Sequence, residues 1–254
     1  MHRFFVEDRV PGIDVTITLS KEESLHAARV LRLKAGETVQ ILDNENLYQG
    51  ELLQLEEQAV IVRILEKLPS PEPPAQVTLL QGLPKGDKLE MIVQKATELG
   101  AFAIAPVEMS RSIAKADRQS KKQERYQRIA LEAAKQSGRA HVPEIHPPQS
   151  FSALCKALAN AAEPPYDAVL IAWEEEQAMP LSRAIRSLRQ AHADSLNGHR
   201  IALLIGPEGG ISIEECEQLK VIGAQSVTLG PRILRTETAG ICALSVIWAA
   251  LDEM

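Results

Sequence analysis

Ile205-Gly206-Pro207-Glu208-Gly209-Gly210 and, further on, Leu229-Gly230-Pro231-Arg232-Ile233-Leu234-Arg235-Thr236-Glu237-Thr238-Ala239 are the stretches whose reading decides the fold of this chain. The first follows the apolar run Arg200 to Leu204, and the second follows Ser226-Val227-Thr228. Each leaves a strand-like run and enters a helix-like run. In open α/β sheets, ligands bind in the crevice outside the carboxyl ends of the strands. Two glycine-containing loops at that edge point to one pocket. Glycine lets the backbone reach positive φ and approach a ligand closely, while Pro207 and Pro231 stiffen the loops. Ordinary strand-to-helix turns are the competing reading. The paired occurrence, with charges inside the second loop, favours a ligand site.

Working outward, strand and helix patterns alternate. Strands are predicted over Val77 to Gln81, Ala103 to Val107, Ala168 to Trp173, Ile201 to Ile205 and Val227 to Leu229. Helices are predicted over Asp87 to Leu99, Ser120 to Ser137, Phe151 to Ala161, Leu181 to Ala191 and Glu237 to Leu251, with another opening at a capping box of Ser212 and Glu215. This alternation predicts an α/β domain with a mostly parallel sheet and helices on both faces. Pro69-Ser70-Pro71-Glu72-Pro73-Pro74 reads as a linker, because proline continues neither a helix nor a central strand. It divides the chain into domains 1–70 and 74–254. The first has β-rich runs at Val15 to Leu19, Thr38 to Leu42, Gly50 to Leu53 and Ala59 to Ile64. Between them a helix from Ser20, with Glu23 completing a capping box, is expected to reach about Leu31. Such a unit reads as a compact β-barrel.

Composition removes several function classes. Aromatic residues are 4% of the chain, too few for a binder built on base-stacking platforms. Cys155, Cys216 and Cys242 are scattered without a C-x-x-C, which speaks against a disulfide framework or zinc site and suits a reducing cytoplasm. No metal is expected. The start, Met1 to Glu7, is too charged for a signal peptide, and the apolar run Ala239 to Leu251 is below spanning length. No membrane partner is expected. The net charge is −6, yet the nine Lys/Arg between Arg111 and Arg139 face only Asp117, Glu124 and Glu132. A local basic surface can bind phosphates despite a negative total; a solvated helix face is the alternative.

Neither loop has the dinucleotide fingerprint G-x-G-x-x-G, and Gly82-Leu83-Pro84-Lys85-Gly86-Asp87 lacks the spacing and ending of a phosphate loop. A nucleoside-like ligand held by backbone groups fits better. IGPEGG followed by LGPRILRTETA resembles the signature of the SPOUT methyltransferases, and more narrowly of those acting on uridine N3 in small-subunit ribosomal RNA. Three further stretches agree: His26-Ala27-Ala28-Arg29-Val30-Leu31-Arg32; Lys85 to Glu90 with Gln94 to Gly100; and Glu132 to Arg139. The likeness spans nearly the whole chain. Ala27 departs from it, standing where a second histidine is expected.

The resemblance implies a PUA-like RNA-binding barrel at the N-terminus and a C-terminal domain with a deep trefoil knot. It implies S-adenosylmethionine as cofactor, 16S ribosomal RNA or the small ribosomal subunit as partner, and a homodimer built on the apolar last helix. Core packing within one subunit is the alternative use of that helix. By resemblance, Gly206, Glu208, Gly209, Leu229, Gly230, Ile233, Leu234 and Ala239 contact the cofactor. Ala172 and Trp173, ending another strand, are expected to line the same crevice, with a core aromatic as the rival reading of Trp173.

Uracil N3 carries a proton and is a poor nucleophile, so a site must remove the proton or stabilise the anion. Arg235 and Arg232 are the candidates for the anion. Glu237 or Glu208 could accept the proton, although Glu237 opens a helix whose dipole lowers its basicity, leaving helix-start stabilisation as an equal reading. RNA contacts are expected from His26, Arg29 and Arg32, at helical spacing; from Lys88 and Arg111; and from Gln136 and Arg139, which with Glu132 recur at i, i+4 and i+7. A non-catalytic RNA-binding or ribosome-assembly factor is the competing function, disfavoured by the intact second loop.

Overall fold

The computed structural model describes all residues except 44, 116–119, 160–163 and 194, and element counts below refer to the described residues. The expected end of one helix at Ala161 lies outside them. By contacts the chain divides into Met1–Glu72 with Ala134–Val142, and Pro73–Ala133 with Pro143–Met254. The division expected from the linker treated everything after it as one continuous piece. Residues 134–142 instead cluster with the N-terminal unit, because the Glu72 carboxylate accepts from the backbone N–H groups of Ala140 and His141 and from the Arg139 guanidinium. Ala140 also joins a small apolar cluster with Leu42 and Leu47.

The N-terminal unit contains β1 (Arg3–Phe5), β2 (Thr16–Thr18), α1 (Lys21–Leu25), β3 (Thr38–Leu42), β4 (Leu47–Glu56) and β5 (Ala59–Leu68). Its sheet runs β1-β3-β4-β5-β2; β1 lies parallel to β3 and the other pairs are antiparallel. Alternate residues Val39 and Ile41, and Val60, Val62 and Ile64, face one core with Phe4, Leu19 and Leu52, the period-2 pattern of a half-buried sheet. Ser20 caps α1 by accepting from Glu23 N–H. The reciprocal half of the capping box is missing, because the Glu23 carboxylate holds Lys135 at 2.6 Å. The helix expected to run to Leu31 changes type: His26–Val30 forms a π-helical turn closed by Leu31 N–H on His26 O. No described helix is long and apolar enough to cross a membrane.

In the C-terminal unit, β6 (Gln76–Gly82), β7 (Ala103–Glu108), β8 (Glu144–Ile145), β9 (Gln149–Ser150), β10 (Ala168–Ala172), β11 (Arg200–Ile205) and β12 (Gln225–Val227) form one parallel sheet. Its order is β12-β10-β11-β6-β7-β8, with β9 also beside β7. The helices are α2 (Lys88–Glu98), α3 (Ser120–Ser137), whose last turn belongs to the N-terminal unit, α4 (Phe151–Leu158), α5 (Leu181–Ala191), α6 (Ile213–Val221) and α7 (Thr236–Ala250). Alternation along the strands sorts them between the two faces. Leu80, Ala105, Val107, Ala202 and Leu204 pack with Leu154 of α4 and with Cys216 and Leu219 of α6. Leu79 and Gln81 point the other way, toward Gly240 of α7, which packs beside α2 and α5. The sheet thus carries helices on both faces, and the strands at its centre, β10, β11 and β6, end side by side at the edge where the two glycine loops emerge.

Candidate cofactor and RNA site

Three loops rise from the carboxyl ends of neighbouring strands. Residues 173–180 follow β10, 206–212 follow β11, and 228–235 follow β12. Together with the first turns of α2 and α7 they wall a cavity of about 960 Å³, large enough for a nucleoside-sized ligand. Ala172, Trp173, Gly206, Glu208, Leu229, Gly230, Arg232, Ile233, Leu234, Arg235 and Ala239 all line it, so the structure brings nearly all the expected cofactor and catalytic positions to one crevice. The expected strand at Val227 to Leu229 ends earlier, at Val227. Thr228 instead pairs as a single parallel bridge with Pro180, tying the third loop to the first.

Gly209 stands apart. It does not line the cavity, and a Cβ there would fall 2.8 Å from Arg111 Cβ and 3.0 Å from Arg111 O. Its carbonyl accepts from Arg111 Nη1 at 3.2 Å. Gly209 therefore seats the loop on residue 111, and Arg111, expected as an RNA contact, is bonded to that loop. Gly210 has φ +72, and its missing Cβ makes room for Glu174 Oε1. Gly230 differs from both: it has φ +108 and open space where a Cβ would be. Trp173 serves both of its expected readings. The indole packs on the α4/α6 core and donates to Ile211 O at 3.3 Å, while its edge lines the cavity and Lys220 Nζ sits 4.9 Å above its ring.

Glu208, Glu237 and Glu176 each have a partner. Lys88 Nζ lies 2.9 Å from Glu208 Oε1 and 3.3 Å from Glu237 Oε2. The second distance is within ion-pair range but without hydrogen-bond geometry, so Glu237 Oε2 has no hydrogen-bond donor. Glu208 also accepts from Lys85 N–H at 3.0 Å. Burial opposes ionisation of Glu208, but the Lys88 ammonium and the Lys85 N–H outweigh it and hold its pKa below the ordinary carboxylate value. The Glu208 carboxylate, with Glu237 behind it, raises that of Lys88. Lys88, expected as an RNA contact, is thus bound at the cavity lip, where helix register puts it at the start of α2. Glu237 is 9% exposed and lies behind Lys88, outside the cavity lining. Glu176 is fixed differently: it accepts from Ser226 Oγ and from Ala178 N–H, and both lower its pKa.

Arg232 and Arg235 are exposed at the cavity, and Arg235 is the N-cap residue of α7 with its side chain free of any capping bond. Gln81 and Thr236, which the sequence did not single out, sit between the loops. Gln81 Nε2 donates to Thr236 Oγ1 at 2.8 Å, and Thr236 Oγ1 donates to Gly206 O at 2.6 Å. No local pattern announces a contact across 155 positions.

The expected RNA residues of the N-terminal unit need two corrections. Arg32 is not on a helical face with His26 and Arg29, because the helix ends before it and Arg32 adopts φ +54. Arg29 is exposed and pairs with Glu57 at 2.8 Å. Gln136 is exposed near the end of α3, but α3 stops at Ser137 and Gly138 takes φ +74. The i+7 position is therefore off the helix. Arg139 is 5% exposed and paired with Glu72, so it holds the fold and does not reach solvent phosphate.

With the fold and the cavity described, the chain can be set beside known proteins. The model of the RNA methyltransferase domain matches residues 71–248, and that of the RNA methyltransferase PUA domain matches residues 19–65. The fold is therefore that of a methyltransferase of the SPOUT type with a PUA-like N-terminal domain. Among relatives, the ribosomal RNA small subunit methyltransferase E of Bacillus subtilis is 36% identical over 97% of this chain and 96% of its own length. That of Mycobacterium bovis is 31% identical over 96% and 90%. The crystal structure of a ribosomal RNA small subunit methyltransferase E from Neisseria gonorrhoeae, bound to S-adenosyl methionine, superposes with a TM-score of 0.77 at 30% identity, covering 98% of this chain and 97% of that one. The chain belongs to the ribosomal RNA small subunit methyltransferase E family.

Proposed function

We propose that this protein methylates N3 of a uridine in 16S ribosomal RNA of the small ribosomal subunit, with S-adenosylmethionine as methyl donor. The observation that carries the reading is the single cavity enclosed by the loops after β10, β11 and β12. Its walls fit the donor: Leu229, Ile233, Leu234 and Ala239 offer apolar surface to a purine, Gly230 leaves room for close backbone approach, and Ala172, Trp173 and Gly206 close the far side. When bound, S-adenosylmethionine supplies a methyl group on a positively charged sulfur. The protein's share is to hold the reactants in line and exclude water.

The acceptor must lose its N3 proton, and the charge then spreads to the uracil oxygens. Arg235 and Arg232 are cations at the cavity, placed to stabilise that charge. Glu208 already accepts two hydrogen bonds and has a lowered pKa, which makes it a weak base. Glu237, the other candidate acceptor, keeps one oxygen without a hydrogen-bond donor, 3.3 Å from Lys88 Nζ, and lies outside the cavity lining. RNA docking falls to the PUA-like unit, with His26, Arg29 and Arg32 at its surface, and to exposed Gln136.

The reading extends to a deep C-terminal trefoil knot, a homodimer and a cytoplasmic location. The dimer is supported by α7, which buries Ala243, Leu244, Ile247 and Trp248 but leaves Ile241, Cys242, Ser245 and Val246 half-buried along another side. The test is mass spectrometry of 16S ribosomal RNA from cells with and without the protein, together with transfer of labelled methyl groups to small subunits in vitro. Loss of one N3-methyluridine in the deletion and its restoration by the purified protein are expected. An unchanged modification map would refute the assignment.

A further inference from the structure

Gln81, Thr236 and the Gly206 carbonyl form a buried chain whose proton directions are settled by chemistry. The Gly206 and Gly82 carbonyls can only accept. Thr236 Oγ1, 2.6 Å from Gly206 O, must therefore donate to it. Its oxygen is left to accept from Gln81 Nε2 at 2.8 Å, and the second amide hydrogen of Gln81 goes to Gly82 O at 3.1 Å. The amide is thereby locked with Oε1 pointing away from the chain, where it is buried without a donor. Gln81 is 0% exposed and Thr236 is 4% exposed.

A buried acceptor without a partner costs stability. An apolar side chain of similar size would carry no such cost at the end of β6. What the glutamine does achieve is geometric. It fixes the Thr236 hydroxyl, which clamps the start of the 206–212 loop to the first residue of α7, immediately after the 228–235 loop. Thr236 thereby joins one cavity wall to the other, and Gln81 holds Thr236 in place.

We infer that Gln81 and Thr236 are positioning residues that set the spacing of the two loops for the methyl donor, although neither contributes a group to the chemistry. The inference rests on the reading of the cavity as the donor site. Replacing Thr236 by Val keeps shape and loses both bonds; replacing it by Ser keeps the hydroxyl. Gln81→Met keeps length and removes the orphaned oxygen. Donor affinity of the full chain, titrated with S-adenosylmethionine, is expected to fall about tenfold in Thr236→Val and Gln81→Met, the worth of one buried hydrogen bond. It should return to within about twofold of wild type in Thr236→Ser. In steady state the donor KM should rise while the RNA KM stays constant. The rise of the donor KM alone, with its rescue by Thr236→Ser, separates positioning from a merely structural role. Equal donor affinity in wild type, Thr236→Val and Gln81→Met would overturn the inference. Absence of donor binding in the wild type would instead refute the reading beneath it.

Discussion

The two Gly-Pro loops look alike in sequence and do opposite things. In the loop after β11 the glycines are filled from the protein side: a Cβ at Gly206 would meet Ile211 Cγ1 at 2.8 Å, one at Gly209 would meet Arg111, and one at Gly210 would meet Glu174. In the loop after β12, a Cβ at Gly230 would meet nothing within 4 Å, Ile233 is 86% exposed, and Arg232 and Arg235 are exposed. The first loop is packed against the protein and the second stands open at the cavity. A glycine in a motif can mark close packing of the protein on itself as readily as close approach of a ligand, and only the surroundings distinguish the two.

The largest expected effect lies in the second loop. Arg235→Ala should lower turnover by about a hundredfold or more, the usual loss when one charge-stabilising group is removed from a transition state, while S-adenosylmethionine binding survives. Near-normal turnover measured at saturating donor would remove Arg235 from the chemistry. The packed loop should respond in stability. Gly209→Ala, forced against Arg111, should cost about 1–3 kcal/mol and lower Tm by several degrees, with donor affinity of the folded protein nearly unchanged. Gly230→Ala should show the reverse pattern. Its φ of +108 is strained for alanine whatever the space, and an exposed loop with nothing packed on that position relieves the strain by moving. Tm should hold while donor affinity falls about tenfold. If both alanine variants changed the same quantity, the distinction between the loops would be lost.

The contrast between the loops was not legible in the sequence, but much of the fold was, and the exceptions have physical causes. β3 and α5 begin and end where expected, because period-2 alternation in Thr38–Leu42 and helical spacing in Leu181–Ala191 are strong local signals. Ser212 and Glu215 form the expected reciprocal capping box. β1 escaped notice because three residues carry no period and its pairing with β3 is purely tertiary. Arg139 misled because helical arithmetic was carried past Gly138, whose left-handed φ turns the chain before the next residue can share the face. In the site, the lining residues were legible because motif and strand ends coincide. The Gln81–Thr236 chain was not, because each partner alone is an ordinary polar residue and only the folded sheet brings them together.

The Lys88–Glu208 bridge gives a smaller, pH-dependent test of the packed wall. Glu208 has a lowered pKa in the fold, so its contribution to stability is present above its unfolded pKa and is lost as pH falls through the folded value. Lys88 has a raised pKa, so its contribution is present below its unfolded pKa and is lost as pH rises through the folded value. Lys88→Met should flatten the acid limb of the Tm-against-pH curve relative to wild type. An identical acid limb would show the bridge to be energetically silent. The smallest effect is expected far from either loop. Arg29→Ala, which breaks an exposed pair with Glu57, should leave Tm within about a degree while weakening RNA binding and reducing its salt dependence.

Calorimetric titration of the purified full chain with S-adenosylmethionine addresses the account most directly. Saturable binding of one donor per chain, weakened by Gly230→Ala and retained by Gly209→Ala, is the predicted result. A flat titration, or equal loss of affinity in both variants, would contradict it.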